Sequence, residues 1–150
     1  IEVEDTITAS LLMQSGALAS LTATLGAADD TTRIRLAFEN LTIESDHAAY
    51  NPGEKLWKIQ PRNDETKGKI EALLANWQHV PSRFQTQMAR FHAGLTGAGP
   101  LPVTSTDSRR SLELVTAFYH SSATGEDVVL PLGSSHPLYQ SWVPAQFRTA

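Results

Sequence analysis

The sequence predicts an α+β fold in which helices pack on one face of a mainly antiparallel, open sheet. Apolar residues alternate with a period of two through the first 60 residues and recur at helical spacing after Pro61. Strands grouped before helices are typical of the α+β class. We expect residues 1–150 to form a single domain that buries roughly 70% of the surface exposed by the unfolded chain.

The strands come first in the predicted order of elements. Residues 5–25 predict a β-hairpin, because two alternating runs are broken at Ser15-Gly16. Residues 33–39 predict a third strand. Two more strands are expected over 41–45 and 55–60, separated by the turn signal Asn51-Pro52-Gly53. The sequence therefore predicts a meander before the first helix.

Three helices are expected after the meander. The first two are predicted by apolar residues at helical spacing: Ile70, Leu73, Leu74 and Trp77, and then Phe84, Met88, Phe91 and Leu95. Ser82 and Gln85 lie in capping-box register at the start of the second helix. The third is predicted to begin near Thr106 or Asp107 and to end at Gly125. A last strand over 127–130 and an extended tail over 136–144 complete the prediction.

One face of the predicted hairpin carries small, uncharged side chains. They are Thr6, Thr8, Ser10, Ser20, Thr22 and Thr24. Antiparallel sheets commonly leave one side in water, and threonine is a good strand former, so a solvated face is one interpretation. The face lacks the lysine and glutamate that are usual on solvated sheets, so a candidate oligomer face is the other interpretation.

Composition excludes several classes of protein. A net charge of −4 without a basic cluster argues against a nucleic-acid partner, and no apolar run is long enough to span a membrane. The chain has no cysteine, which suits a reducing compartment, so we expect a cytoplasmic location. Because the chain starts at Ile1 without a leader and runs directly into a strand pattern, we expect a fragment of a longer protein.

The residues themselves indicate no catalytic, cofactor-binding or metal site. No two of the five histidines are spaced i and i+4, and Glu44, Asp46 and His47 occupy a strand end where acidic residues are common. His92 and His120 lie at the margins of helices, where structural histidines are frequent. Trp57 and Trp77 are expected to be core anchors. The roles of His47, His136 and Trp142 stay open.

A resemblance to a known family emerges from the C-terminal half. The residues that carry it are Leu101-Pro-Val103-Thr, Asp107-x-Arg109-Arg110-x-Leu112-Glu113-Leu114-Val115-x-Ala117-x-Tyr119-x-Ser121, Thr124-Gly125 and Val129-Leu130-Pro131. They resemble the C-terminal signature of the Gfo/Idh/MocA oxidoreductases, the relatives of glucose-fructose oxidoreductase and inositol dehydrogenase. Glu4-Asp5-Thr6 with its hairpin, and the tail His136-Pro-Leu-Tyr with Trp142, are also similar to that family's C-terminal domain.

The resemblance implies a parent enzyme with an N-terminal Rossmann domain that binds NAD or NADP and acts on a sugar, cyclitol or related polyol. The family's Glu-Lys-Pro and Asp-x-x-x-His motifs are not among these 150 residues. The chain would then be the substrate-side and oligomerisation domain, inactive by itself, with the missing Rossmann domain and further copies of itself as partners. A stand-alone binding or assembly domain of the same fold is the alternative, and a small enzyme using His47 or His136 is a third.

Arg109 and Arg110 lie in the first turn of the third predicted helix, where the helix dipole disfavours cations. We expect Arg109 to be a surface residue beside Asp107. The alternative is an ion pair between this domain and the missing one.

Overall fold

The computed structural model describes residues 4–53, 55–80 and 83–142. The predicted hairpin is confirmed: β1 (Thr6–Leu12) and β2 (Leu18–Thr24) pair antiparallel, with Thr6 opposite Thr24 and Leu12 opposite Leu18. The turn between them is closed by the Gly16 N–H donating to the Met13 carbonyl. Gly16 has φ 85°, a backbone conformation that residues with a Cβ rarely adopt, so glycine is favoured at this position.

A second sheet contains three short strands in chain order. These are β3 (Arg35–Ala37), β4 (Leu41–Glu44) and β5 (Lys58–Pro61), each antiparallel to the next. The meander is confirmed in this part, although β3 and β5 are shorter than predicted. Where one open sheet was predicted, the described residues form a two-stranded sheet and a separate three-stranded sheet.

Helix α1 (Asp64–Leu74) follows β5 directly. The Asn63 side chain caps it by accepting from the Thr66 N–H, and Asp64 and Glu65 occupy the positive end of its dipole. The helix ends before Trp77, which is 48% exposed. The prediction of Trp77 as a core anchor on this helix is therefore wrong.

Helix α2 (Arg83–Leu95) has the predicted amphipathic pattern, but its apolar side chains Phe84, Met88, Phe91 and Leu95 are all exposed. The proposed cap at Ser82 lies outside the described residues. A Cβ at Gly94 would come within 2.8 Å of the Leu101 side chain. This close approach lets the following loop return against the end of α2.

Helix α3 (Ser105–Thr124) is the longest described element; it begins one residue before the predicted start and ends at Gly125 as predicted. Thr104 and Asp107 form a capping box, in which each side chain accepts from the backbone N–H of the other residue. Gly125 ends the helix in the left-handed conformation, with φ 74° and its N–H bonded to the Ser121 carbonyl.

The chain after α3 differs from the prediction. Residues 127–130 form no strand, because no described strand lies beside them to pair with. The described part of the tail turns where an extended segment was expected: the His136 N–H donates to the Gly133 carbonyl, and the Tyr139 N–H to the His136 carbonyl. Residues 143 and 144 of the predicted tail lie outside the described residues.

The α+β class is confirmed, but the packing is open. Helix α1 against β5 is the main contact between a helix and a sheet in the described ranges. The chain exposes 12508 Å², against about 23600 Å² for the unfolded chain and about 7500 Å² for a compact monomer of this mass. It therefore buries about half of its surface, less than expected. Among the described residues, the hairpin face and the apolar side chains of α2 are exposed.

Candidate docking surface

The β1–β2 hairpin presents one exposed face without a charged side chain. We call it the hairpin face and define it by four directly opposed pairs: Thr6 with Thr24, Thr8 with Thr22, Ser10 with Ser20, and Leu12 with Leu18. Directly opposed residues of antiparallel strands share a face. The structure thus brings all six sequence-predicted residues together, and every residue of the face is exposed.

The threonine hydroxyls of this face bond to one another across the strands. The oxygens of Thr8 and Thr22 are 2.9 Å apart, and those of Thr6 and Thr24 are 2.8 Å apart. A hydroxyl has one proton to donate, and the Thr6 hydroxyl donates to Asp5, so Thr24 must donate to Thr6. Thr24 in turn accepts from the Gly26 N–H. Part of the polarity of the face is therefore satisfied internally.

Two leucines close the hairpin end of the same face. Leu12 is 75% exposed and Leu18 is 83% exposed. Sequence reasoning placed Leu12 on this side of its strand but did not include either leucine in the candidate face. The length of the turn predicts their position, because it sets the strand register and so places Leu18 opposite Leu12. The face thus changes from hydroxyl-bearing beside Asp5 to apolar beside the turn.

The opposite side of the hairpin is less exposed in β1 than the hairpin face. Ile7, Ala9 and Leu11 are half-buried, in alternation with their fully exposed neighbours. The alternation confirms the predicted period of two and distinguishes the two sides physically. The hairpin face is the side that the described chain leaves uncovered along both strands.

The arginine pair of α3 lies in the segment that carries the family resemblance. Arg109 donates from Nε to the Glu113 carboxylate at 2.9 Å, one helical turn away. This bond raises the pKa of Arg109 above its ordinary value. Asp107 instead accepts from Thr104, and those hydrogen bonds lower the pKa of its carboxyl. Arg109 is thus paired within its own helix, with Glu113 rather than with the expected Asp107.

The carboxylate of Glu44, at the end of β4, pairs with two arginine side chains. Glu44 accepts from the Arg33 Nε at 2.8 Å, while Arg35 lies 3.8 Å away and His47 3.6 Å away. The Arg33 bond is the main cause of a lowered pKa at Glu44. Both carboxylate oxygens of Asp46 are buried without a hydrogen-bond partner. Within the described ranges, no group of three or more His, Asp and Glu residues is arranged to hold a metal ion.

The tail places His136 and Trp142, whose roles the sequence does not assign, against side chains of α3. The His120 and His136 rings meet edge to face with centroids 4.5 Å apart, and the Trp142 ring lies 5.2 Å from that of Tyr119. The Trp142 indole N–H donates to the Thr116 hydroxyl at 3.0 Å. The role of Thr116 as the acceptor for Trp142 was not predicted, because the sequence indicates only that Thr116 lies on the inner side of α3.

Trp57 was expected to be a core anchor with a paired indole. The indole N–H donates to the Pro52 carbonyl, and the residue is half-buried. The expected hydrogen bond is therefore confirmed, in a loop rather than in a closed core.

Two shallow cavities lie elsewhere in the described structure. One of about 300 Å³ lies between α2 and the following loop, and Met88, Phe91 and Val103 line it. Another of about 200 Å³ lies at the edge of the second sheet, with Arg62 as its only ionisable lining residue. Neither brings together the acid, base or nucleophile that a catalytic site needs.

Comparison of the chain with protein-family models, with curated proteins and with solved structures finds no match. Among the helices of the described residues, none has the length and hydrophobicity required to cross a bilayer.

Proposed function

We propose that this chain is the substrate-side and oligomerisation domain of a cytoplasmic NAD(P)-dependent oxidoreductase that acts on a sugar, cyclitol or related polyol. An N-terminal Rossmann domain would bind NAD or NADP, and the chain would assemble with its own copies through the hairpin face. The assignment to an oxidoreductase rests on the resemblance of residues 101–131 to the Gfo/Idh/MocA signature. The oligomerisation role rests on the exposed, uncharged hairpin face.

The internal hydrogen bonds of the face support its burial against a partner. Removing a hydroxyl from water costs free energy unless the group keeps a hydrogen-bond partner. The Thr8–Thr22 and Thr6–Thr24 pairs keep such bonds when water is removed. Burying Leu12 and Leu18, which are almost fully exposed, would contribute about 1.5–3 kcal/mol each. The two ends of the face thus favour docking for different reasons.

The size of the exposed surface also supports partners of this kind. The chain exposes about 5000 Å² more than a compact monomer of its mass. A stable interface covers about 800 Å² on each partner, so this excess is large enough for both a second copy and an additional domain. The hairpin face is roughly 23 Å long and two strands wide. It would therefore form the centre of an interface rather than the whole of it.

Light scattering tests the oligomerisation role. Thr22→Lys introduces a long charged side chain at the middle of the face, and we expect the mass in solution to fall to that of the monomer. Thr106→Lys is the matched control, because it adds the same charge at an exposed position of α3, outside the hairpin face. Equal masses for the wild type and both variants would refute the role.

The open reading frame upstream of Ile1 tests the oxidoreductase assignment separately. The proposal expects a Gly-x-Gly-x-x-Gly sequence at a strand-to-helix turn and a Glu-Lys-Pro motif there. A frame without both would favour the alternative, a stand-alone binding or assembly domain of the same fold, for which the same exposed face is the supporting observation. Turnover by this chain without nucleotide would instead favour a small enzyme using His47 or His136.

A further inference from the structure

The outer edge of β2 is a second uncovered feature of the hairpin. Among the described residues, β1 and β2 form a sheet of their own, so each strand pairs on one side only. The Leu25 N–H donates to the Asp5 carbonyl, which continues the ladder beyond the strand ends. Because hydrogen-bonded and non-hydrogen-bonded pairs alternate in an antiparallel ladder, the odd-numbered residues of β2 direct their N–H and C=O groups to β1. The even-numbered residues direct theirs to the outer edge: Leu18, Ser20, Thr22 and Thr24.

The side chains of the hairpin agree with this alternation. Opposed side chains approach most closely in the non-hydrogen-bonded pairs, and the Thr8 and Thr22 hydroxyl oxygens are 2.9 Å apart. The outward-facing N–H and C=O groups of β2 make no backbone hydrogen bond to a described residue. A row of such groups is a template for a further strand.

The sequence of β2 does not protect this edge. Sheet edges are usually protected by lysine, proline or a β-bulge. The strand reads LASLTAT and pairs with β1 without interruption, so it has none of the three. Both sides of β2 are exposed, whereas the inner side of β1 is half-buried and Glu4, close to its start, accepts from Tyr119 of α3. Of the two strands, β2 is the more accessible to a partner.

We propose that two copies of this chain join edge to edge through β2, each antiparallel to the other. This inference rests on the proposed oligomerisation and specifies its geometry. With Leu21 on the two-fold axis, Leu18 lies opposite Thr24 of the partner, and Ser20 lies opposite Thr22 of the partner. Every outward-facing N–H of both strands then meets a carbonyl of the other copy. A shift of two residues in either direction leaves one of these residues unpaired in each strand.

A second copy suits this edge chemically. The pairing brings no like charges together, because β2 has no charged side chain. It places Ser20 beside Thr22 of the partner, and opposed hydroxyl side chains of this kind stabilise a sheet. Directly opposed residues share a face, so the two hairpin faces lie on the same side of the joined sheet. The uncharged face becomes four strands wide, about 19 Å instead of about 10 Å. Edge pairing thus supplies width that a single hairpin face lacks.

Two proline variants test the edge. Ser20→Pro removes an N–H that faces the outer edge of β2, so the β1–β2 ladder keeps its hydrogen bonds. Ser10→Pro is the matched control, because Ser10 lies directly opposite Ser20 on the same hairpin face and its N–H faces the other edge. We expect light scattering to give a lower mass for Ser20→Pro than for the wild type, and the wild-type mass for Ser10→Pro.

Two results of this comparison would overturn edge pairing and leave the proposed oligomerisation intact. One is an oligomeric wild type whose mass Ser20→Pro does not change. The other is an equal loss of mass in both variants, as expected for copies that dock only face to face. A monomeric wild type would overturn both proposals.

Amide hydrogen exchange of the wild type tests the edge without a substitution. Raising the protein concentration should slow exchange of the Ser20 and Thr22 N–H groups several-fold, because edge pairing gives these donors an acceptor. The Ser10 N–H, at the outer edge of β1, should exchange at a constant rate. Exchange at Ser20 and Thr22 that does not depend on concentration in an oligomeric protein, or equal slowing at Ser10, would contradict pairing through β2.

Discussion

Replacing Thr116 with valine removes the acceptor that holds Trp142 to α3. Thr116 is only 4% exposed, so a side chain of nearly the same shape is needed to avoid a cavity. Its hydroxyl accepts from Trp142 at 3.0 Å and donates to the Leu112 carbonyl at 2.8 Å. Valine keeps the volume but makes neither bond, so the effect isolates the hydroxyl.

The magnitude follows from what each partner loses. The Leu112 carbonyl retains the backbone hydrogen bond of the helix, so losing the Thr116 hydroxyl costs little there. The Trp142 N–H loses its partner, which costs about 1–3 kcal/mol when a group is buried. Trp142 is half-exposed and water can reach its ring, so the lower end applies. We expect Thr116→Val to lower the free energy of unfolding by about 1–2 kcal/mol.

Thermal unfolding followed by near-ultraviolet circular dichroism measures this loss. For a domain of this size the expected decrease in Tm is about 2–8 °C. Thr106→Val, on an exposed position of the same helix, should change the free energy of unfolding by less than about 0.5 kcal/mol. In a double-mutant cycle with Trp142→Phe, the coupling should be about 1 kcal/mol. Strictly additive effects would refute the hydrogen bond as the link between tail and helix.

Two other predictions concern backbone conformation and pH. Gly125→Ala should lower the free energy of unfolding, measured by urea denaturation, by about 1 kcal/mol, because φ is 74° at Gly125. Gly68→Ala should raise it by about 1 kcal/mol, because Gly68 lies within α1 and a Cβ there would meet no other atom. Equal effects of the two substitutions would contradict both helix descriptions. The hydrogen bond from Arg33 holds the pKa of Glu44 below its ordinary value, so the ion pair contributes stability above the ordinary pKa and loses that contribution as pH falls through the lowered one. Arg33→Gln should raise the Glu44 pKa towards 4.5 in a carboxyl NMR titration, and an unchanged value would exclude Arg33 as the cause.

The hairpin and α3 could be predicted from local signals. The period of two and the Ser15-Gly16 break are enough to define two paired strands. Thr104 and Asp107 set the start of α3, and Gly125 sets its end. In both elements the information lies within a few residues of the feature, so no long-range contact had to be known.

The failures all depend on contacts distant in sequence. Residues 127–130 have the composition of a strand but pair with no strand among the described residues, and pairing is what stabilises a strand. Trp77 continues the apolar spacing of α1, yet the helix ends at Leu74 and no core forms over the ring. The Trp142–Thr116 bond joins residues 26 positions apart, and no local pattern predicts it.

Protection of a single cysteine tests most directly whether the hairpin face is a docking surface. The chain has no cysteine, so Thr8→Cys places one thiol at the middle of the face and Thr106→Cys places one on exposed α3. A thiol reagent should label the cysteine of Thr8→Cys much more slowly at high protein concentration than after dilution, while labelling of Thr106→Cys stays constant. Equal, concentration-independent labelling of the two variants would contradict docking through this face.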